Sequence, residues 1–143
     1  MDADIKSKVL HYENLIENIL KADLAELEKK LDEKNTEMAE FLQLKNVIET
    51  LKNVGADKTG FKTQVDLGSS FFIQANVEDA SNILLDVGLG HFVEFSLDEA
   101  VSIINVRLKL FERQTENLRK AVARTNAHIK LILLGIRELQ GLN

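Results

Sequence analysis

The chain has 143 residues and a formal net charge of −5, and it contains neither cysteine nor proline. Without cysteine it cannot hold a disulfide framework, a thiolate zinc site or a cysteine nucleophile, and without proline nothing interrupts a long helix. Because no apolar run approaches the ~20 residues that span a bilayer, and because the acidic, polar N-terminus is unlike a targeting peptide, the sequence predicts a soluble intracellular protein.

The first segment, residues 1–55, has a mostly apolar repeat with steps of three and four residues, which predicts one long helix of the coiled-coil type. The repeat positions are Ile5, Val9, Tyr12, Ile16, Leu20, Leu24, Leu27, Leu31, Lys34, Met38 and Phe41. An extra four-residue step near Leu20 is a stutter, which is expected to relax the supercoil locally. The helix is expected to end near Val54, with Gly55 as its C-terminal cap.

The middle segment, residues 56–95, changes to a period of two, which predicts four short strands. The alternating positions are Phe61, Thr63, Val65 and Leu67, then Phe71, Ile73, Ala75 and Val77, then Ile83, Leu85 and Val87, then His91, Val93 and Phe95. Glycine-containing stretches at 68–70 and 88–90 separate the first two strands and the last two. We therefore expect two consecutive β-hairpins.

The last segment, residues 96–143, returns to a heptad repeat and predicts a second long helix. Its repeat positions are Leu97, Val101, Ile104, Leu108, Phe111, Thr115, Leu118, Val122, Thr125, Ile129, Ile132, Ile136 and Leu139. Ser96 and Glu99 have the spacing of a capping box, which marks the start of the helix.

Charge is divided between the segments, with a balance of −4 in residues 1–55, −4 in residues 56–95 and +3 in residues 96–143. The acidic first helix is therefore expected to neutralise the basic last helix by packing beside it. This expectation weighs against a nucleic-acid site on the last helix. Its basic residues are Arg107, Lys109, Arg113, Arg119, Lys120, Arg124, Lys130 and Arg137.

The order helix, hairpin, hairpin, helix predicts an α+β fold, in which a long antiparallel α-helical coiled coil carries two central β-hairpins. A single domain is expected to span residues 1–143. An isolated hairpin is at best marginally stable in water, and apolar edge strands invite pairing with other chains. The sequence therefore predicts a subunit of an assembly.

Several stretches resemble a known family, the α-type subunits of prefoldin, a chaperone whose coiled-coil tentacles hang from a β-barrel platform. The resemblance covers almost the whole chain and lies in the stretches 65–68, 71–73 and 87–96, followed by 98–100. Four further stretches, 8–13, 22–24, 42–49 and 137–142, resemble one branch of that family. Members of that branch belong to a co-chaperone assembly that helps to build multi-subunit complexes such as RNA polymerases, and they are linked to transcriptional co-regulation.

The resemblance implies a non-enzymatic protein without a cofactor, present in the cytoplasm and the nucleus. The partners that it implies are β-type prefoldin subunits, another α-type subunit and unfolded or assembling client proteins, with no membrane and no direct nucleic-acid contact. Two alternatives are a stand-alone coiled-coil adaptor that uses the hairpins as a clasp, and a transcriptional co-regulator that acts through protein contacts. The apolar strands favour the assembly subunit, because a simple tether needs no sheet.

Apolar strand residues are the candidates for the subunit interface, and the alternative is a private core beneath the helix ends. They are Val65, Leu67, Phe71, Phe72, Ile73, Val93 and Phe95. Apolar residues outside the heptad seam near the helix tips are the candidates for contact with clients or partners, and the alternative is internal packing of a widened helix pair. They are Leu15, Ile19, Leu131, Leu133 and Leu134.

Catalytic and metal sites are not indicated. His11, His91 and His128 lie on different predicted elements, and two histidines that meet across a helix pair make a poor metal site. Gly88 and Gly90 lack the further glycine and the Lys-Ser/Thr pair of a phosphate-binding loop.

Overall fold

The computed structural model describes residues 2–141. Two sequence predictions extend beyond these residues, because the stretch 137–142 ends at Leu142 and the predicted domain spans residues 1–143. Leu142 and the two end positions of that domain therefore lie outside the described residues. The α+β architecture predicted from the sequence is confirmed. The elements in chain order are α1 (Asp2–Leu15), a π-helical turn (Ile16–Leu20), α2 (Lys21–Asn53), α3 (Ala56–Thr59), β1 (Phe61–Gly68), β2 (Phe71–Val77), β3 (Asn82–Gly88), β4 (His91–Ser96) and α4 (Leu97–Leu139).

The chain forms two compact units. The helical unit consists of the residues up to Glu37 together with those from Phe111 onward, and the hairpin unit consists of Met38–Leu110. That the whole chain is one domain remains a prediction.

The core of the helical unit is an antiparallel helix contact in which the start of the chain meets the last turns of α4. Val9, Ile16 and Ile136 are buried there. The partly buried residues packed against them are Ile5, Leu20, Ile129, Ile132 and Leu139. Each of these residues occupies a predicted repeat position, so within the helical unit the heptad pattern identified the buried stripe of both helices correctly.

The π-helical turn lies at the predicted stutter. An i→i+5 turn is wider than an α-helical turn and holds more residues, so it takes up the extra residue of the repeat. Ile16, at the start of the turn, and Leu20, at its end, both contact the core. The structure therefore accommodates the irregular repeat in one wide turn of the backbone.

The core of the hairpin unit joins helices to the second hairpin. Its buried residues are Ile48 from α2, Leu85 from β3, and Leu97, Ala100, Ile104 and Leu108 from α4. The partly buried hydrophobics packed against them are Met38, Phe41, Leu44, Ile83, Phe95 and Val101. The β3–β4 hairpin is thus anchored on its own helices.

Two glycines shape the connection from α2 to β1. Gly55 has a φ of 73°, which ends α2 near the predicted position, and Gly60 has a φ of 76°. The four-residue helix α3 lies between them and was not predicted from the sequence. In the left-handed region of φ a glycine avoids the steric cost of a Cβ atom, so the two glycines delimit α3.

The N-terminus of α4 is capped and tied to α2. The backbone N–H of Glu99 donates to Ser96 Oγ at 3.2 Å, as the capping box predicted for the serine. Lys52, near the end of α2, forms an ion pair with Asp98 in the first turn of α4. A carboxylate in the first turn also suits the positive end of the helix dipole.

Candidate protein-interaction surfaces

The first hairpin presents an apolar face to solvent. Val65 pairs with Ile73 in the β1–β2 register, and Phe71 follows on the same face because side chains alternate along a strand. All three side chains are exposed, and Phe71 is 71% exposed. Large apolar side chains grouped in this way make this face a candidate surface for binding another protein.

The turn of the first hairpin leaves a further apolar side chain exposed at the end of this face. The register shifts between Asp66 and Gly68, so the intervening Leu67 has no partner on β2 and is exposed. The backbone N–H of Gly68 donates to Asp66 Oδ1 at 2.7 Å. This local bond fixes the bulged turn and keeps Leu67 at the edge of the apolar face.

The second hairpin repeats this construction. The N–H of Gly88 donates to Asp86 Oδ1 at 2.9 Å, and the register shifts between the same two residues. Asp66 pairs with Phe72 and Asp86 pairs with Phe92, so the two hairpins are equivalent along their whole length. The signal in the sequence is the repeat of Asp-x-Gly followed by a phenylalanine four residues after the glycine, which the analysis of periodicity missed.

The two hairpins differ in what covers them. In the second hairpin Leu85 is buried and Phe95 packs against the core of the hairpin unit. Val93, on the same face, is exposed, and so is Phe72, which lies on the opposite face of the first hairpin. Among the interface candidates, the structure therefore brings Val65, Ile73 and Phe71 together, with Leu67 at their edge, and places Phe95 against the core.

The sheets also leave their edges open. In the described part of the chain each sheet has two strands, β1 with β2 and β3 with β4. Each strand therefore has one neighbour, and the backbone groups on its outer side are free to pair with a strand from another chain.

Apolar side chains also collect where α1 and the end of α4 meet. Ile19, Leu131, Leu133 and Leu134 are exposed, whereas Leu15 is half-buried. Leu10, also exposed, was not among the candidates, because it lies outside the repeat and no neighbouring pattern marks it.

A groove of about 350 Å³ opens on this end of the helical unit. Its lining residues are Tyr12, Leu131, Ile132, Gly135, Glu138 and Leu139. A Cβ atom on Gly135 would meet nothing within 4 Å, so the groove is open above this glycine. The groove is largely apolar, with one carboxylate.

The ion pairs of the helical unit lie within single helices. They join neighbouring turns of one helix, as in Lys30 with Glu26 and Lys120 with Glu116. Within residues 2–141 no carboxylate oxygen lies within 4.0 Å of the basic nitrogens of Arg113, Arg119 or Arg124. These three exposed arginines form no ion pair with the described residues of the acidic first helix, and the expected neutralisation of the basic last helix by that helix stays a prediction.

Two carboxylate interactions in the hairpin unit shift pKa values. The hydrogen bond to Asp98 raises the pKa of Lys52 above its usual 10.5. The side-chain and backbone hydrogen bonds from Ser81 lower the pKa of Asp79 below its usual 3.8. Both groups are solvent-exposed and serve local structure.

Membrane-spanning helices and metal-binding clusters are not found among the described residues. No helix there is both long enough and apolar enough to cross a membrane. No cluster of three or more histidine, cysteine, aspartate or glutamate side chains there is placed to hold a metal ion.

Comparison with known proteins identifies the fold and the family. A sequence model described as "Prefoldin subunit" matches residues 20–141. A cryo-EM structure of filamentous PFD from Methanocaldococcus jannaschii matches with a TM-score of 0.64 and 21% identity, covering 82% of this chain and 95% of that chain. At this identity the match shows the fold alone.

Sequence relatives are more similar. The UXT homolog of Nematostella vectensis is 39% identical over 140 residues, which cover 98% of this chain and 88% of that protein. Human UXT is 39% identical over 135 residues, covering 94% and 85%. The prefoldin subunit alpha of Pyrococcus horikoshii is 28% identical over 122 residues, covering 85% and 81%. The branch indicated by the four further stretches of sequence is that of the UXT proteins, and the chain belongs to the prefoldin family.

Proposed function

We propose that the chain is an α-type subunit of a hetero-oligomeric, prefoldin-like chaperone or co-chaperone complex, without enzymatic activity of its own. The observation that carries the proposal is the exposed apolar face of the first hairpin, formed by Val65, Phe71 and Ile73. Burying apolar surface contributes roughly 25 cal/mol per Å², so this face favours association with another protein.

The hairpins supply two kinds of contact with neighbouring subunits. The open edges of β1–β4 offer backbone hydrogen bonds to added strands, and the apolar face offers side-chain burial. The second hairpin is anchored by Leu85 and Phe95 in the hairpin core, whereas the equivalent face of the first hairpin is exposed. This difference supports the first hairpin as the main contact with the proposed partners, which are β-type prefoldin subunits and another α-type subunit.

The names of the relatives support the same assignment. The proteins from Pyrococcus horikoshii and Thermofilum pendens are both called prefoldin subunit alpha. The similarity to UXT proteins favours a prefoldin-like complex. Its action in the cytoplasm and the nucleus is part of the proposal.

The helical unit is proposed to contact client or partner proteins. Ile19, Leu131, Leu133 and Leu134 expose apolar surface at the end where α1 meets α4. Side chains that are apolar and uncovered in the free chain can bury surface against an unfolded or assembling protein.

The test is assembly measured by native mass spectrometry after co-expression with β-type prefoldin subunits. A defined hetero-oligomer is expected for the natural sequence. The double variant Phe71→Ser/Ile73→Thr should stay folded, because both side chains are exposed, but it should fail to assemble. Gln64→Ser/Gln74→Ser is the matched control, because these two paired residues lie on the opposite face of the same hairpin.

A stable homo-oligomer that does not bind β-type subunits would overturn the proposal and favour a stand-alone adaptor. Assembly that survives in the Phe71→Ser/Ile73→Thr variant would remove the apolar face as the interface. Binding to transcription factors by a chain that joins no subunit would favour co-regulation through protein contacts.

A further inference from the structure

A second repeat runs along the outside of α4 in the helical unit. Its steps are four and three residues, and every member is exposed. We call it the outer stripe, and its members are Arg113, Asn117, Lys120, Arg124, Ala127, Leu131, Leu134 and Glu138. A separation of two residues is about 200° around an α-helix, so Arg113 points away from Thr115, which is 1% exposed in the helix contact.

The first half of the outer stripe is basic and largely unpaired. In the described part of the chain Arg113 and Arg124 have no carboxylate within 4.0 Å, and Lys120 pairs with Glu116 on its own helix. Exposed ion pairs between neighbouring turns are weak and readily exchanged. This half therefore presents cationic groups that can pair with acidic groups of another molecule.

The second half is apolar up to Leu134 and ends at the carboxylate of Glu138. Leu131 is 66% exposed and Leu134 is 59% exposed. Leu131 also lines the groove over Gly135, whose other walls include Tyr12 and Leu139. The stripe therefore leads from a cationic surface to an apolar groove on the same helix.

Helix stability does not explain why residue 135, which lines this groove, is a glycine. Glycine inside a helix is roughly 1 kcal/mol less favourable than alanine. No neighbouring atom in the chain requires it, since a Cβ atom there would meet nothing within 4 Å. What the glycine does provide is depth, because any larger side chain would rise into the groove between Tyr12 and Leu131.

We propose that the outer stripe and the groove over Gly135 form a docking site for an acidic amphipathic helix of a partner protein. Acidic residues of the partner pair with Arg113, Lys120 and Arg124, and a large apolar side chain near one end of its helix enters the groove. The steps of four and three residues match those of a helix lying along α4, and Arg113 to Gly135 spans about 33 Å at 1.5 Å per residue.

Charge complementarity and the groove favour a protein over a nucleic acid. A nucleic acid would pair with the arginines but would leave Leu131 and Leu134 exposed, and the chain as a whole has a net charge of −5. The inference rests on the proposed function only in assigning partner contacts to the helical unit, and it makes no use of the hairpins.

Fluorescence anisotropy with the full chain tests the proposal. The probe is a labelled, designed helical peptide of about four heptads, with leucine on one face and glutamate elsewhere. Comparison probes are the same peptide with lysine in place of glutamate and a short DNA duplex. The acidic peptide should bind, and its binding should weaken as salt rises from about 0.1 M to about 1 M, because the Debye length falls from ~10 Å to ~3 Å.

Two variants separate the parts of the site. Gly135→Leu should fill the groove and weaken peptide binding at least about tenfold. The same change should not lower the stability of the helix, because leucine is a better helix former than glycine. Arg113→Glu/Arg124→Glu should weaken it by a similar factor and flatten its salt dependence. Arg119→Glu is the control, because this exposed arginine lies on α4 about 120° from Arg113, and the loss of binding should be clearly smaller.

Unchanged binding in both site variants, equal binding of the lysine peptide, or preference for the DNA duplex would each overturn the proposal. Assembly with β-type subunits is measured on the same variants and should be retained by all of them. If assembly fails for the natural sequence while the acidic peptide still binds, the proposed function is wrong and this inference stands. If the peptide fails to bind while assembly succeeds, the inference alone is wrong.

Discussion

The backbone carbonyl of Val77, at the end of β2, occupies the space that a Cβ atom on Gly60 would need. Gly60 also has a φ of 76° and a ψ of −178°, a combination that is essentially restricted to glycine. The close approach brings the end of α3 against the base of the first hairpin. Two independent reasons, space and backbone conformation, therefore require glycine at this position.

Gly60→Ala is expected to destabilise the hairpin unit by about 2 kcal/mol or more, since strained backbone conformations cost roughly 1–3 kcal/mol and the clash adds to this. Urea unfolding followed by circular dichroism measures the change. Gly135→Ala is the control, because this glycine is helical and has open space around it, and it should raise stability by up to about 1 kcal/mol. If the Gly60→Ala protein is as stable as the natural one, the connection between α3 and β1 relaxes easily around the added Cβ atom.

The cap at the start of α4 gives a second prediction. Ser96→Ala removes the oxygen that accepts the N–H of Glu99, and loss of an N-cap side chain typically costs about 1 kcal/mol. Ser102→Ala is the control, because its hydroxyl donates to the carbonyl of Asp98 within the helix and alanine is a better helix former. The difference in unfolding free energy between the two variants should exceed 0.5 kcal/mol by the same principle, roughly half the cap's value. A smaller difference would show that Asp98 and the helix dipole suffice to start α4.

Periodicity in the sequence predicted the helices and strands because each buried stripe obeys one helical or strand period. Thr115 illustrates this, since its place in the repeat predicted a seam position despite its hydroxyl, and it is buried. The helix α3 was not predicted, because four residues between two glycines are too few to show a period.

The exposure of the candidate surfaces could be predicted only in part. Leu85 and Val65 occupy equivalent positions in two equivalent hairpins, yet Leu85 is buried and Val65 is exposed. Apolar side chains alternate along their two strands in the same way. The difference in exposure arises because helices cover one face of the second hairpin. Burial of this kind depends on tertiary packing, which local alternation does not encode.

Asp79, in the segment between the two hairpins, gives a prediction about pH. The hydroxyl and the N–H of Ser81 donate to its carboxylate at 2.5 Å and 3.0 Å, which lowers its pKa below 3.8. A lowered folded-state pKa means that the contribution to stability is present above the unfolded pKa and is lost as pH falls through the folded pKa. In an NMR titration the amide proton of Ser81 should therefore shift with a midpoint below 3.8. A midpoint at or above that value would show that the bonds do not persist in solution.

The buried isoleucine of α2 gives a prediction about the core of the hairpin unit. Ile48 has 0% exposure and contacts the cluster formed by the second hairpin and α4. Ile48→Ala should destabilise the protein by about 2–5 kcal/mol, the usual range for a large-to-small change in a core. Val106→Ala is the control at a 68% exposed position, where the change should stay within about 0.5 kcal/mol. A small loss at Ile48 would indicate that the surrounding helices collapse into the cavity.

The π-helical turn gives the last prediction, which concerns a deletion. Removing Asn18, an exposed residue inside the turn, shortens the step from Ile16 to Leu20 from four residues to three and makes the repeat regular. A continuous α-helix then presents both residues to the core, so the unfolding free energy should change by less than about 1 kcal/mol or rise. Deletion of Lys29, an exposed residue of regular α-helix, is the control.

The control deletion has no wide turn to absorb it, so it rotates the preceding helix by about 100° relative to the rest. That rotation turns Val9 and Ile16 out of the core, and burial of each such side chain is worth about 1.5–3 kcal/mol. Thermal unfolding of the two deletion variants measures the contrast, and the Lys29 deletion should unfold at a clearly lower temperature. If both deletions are equally destabilising, the π-helical turn is itself required for packing, because the extra residue would then set the direction of α1 in addition to fitting the repeat.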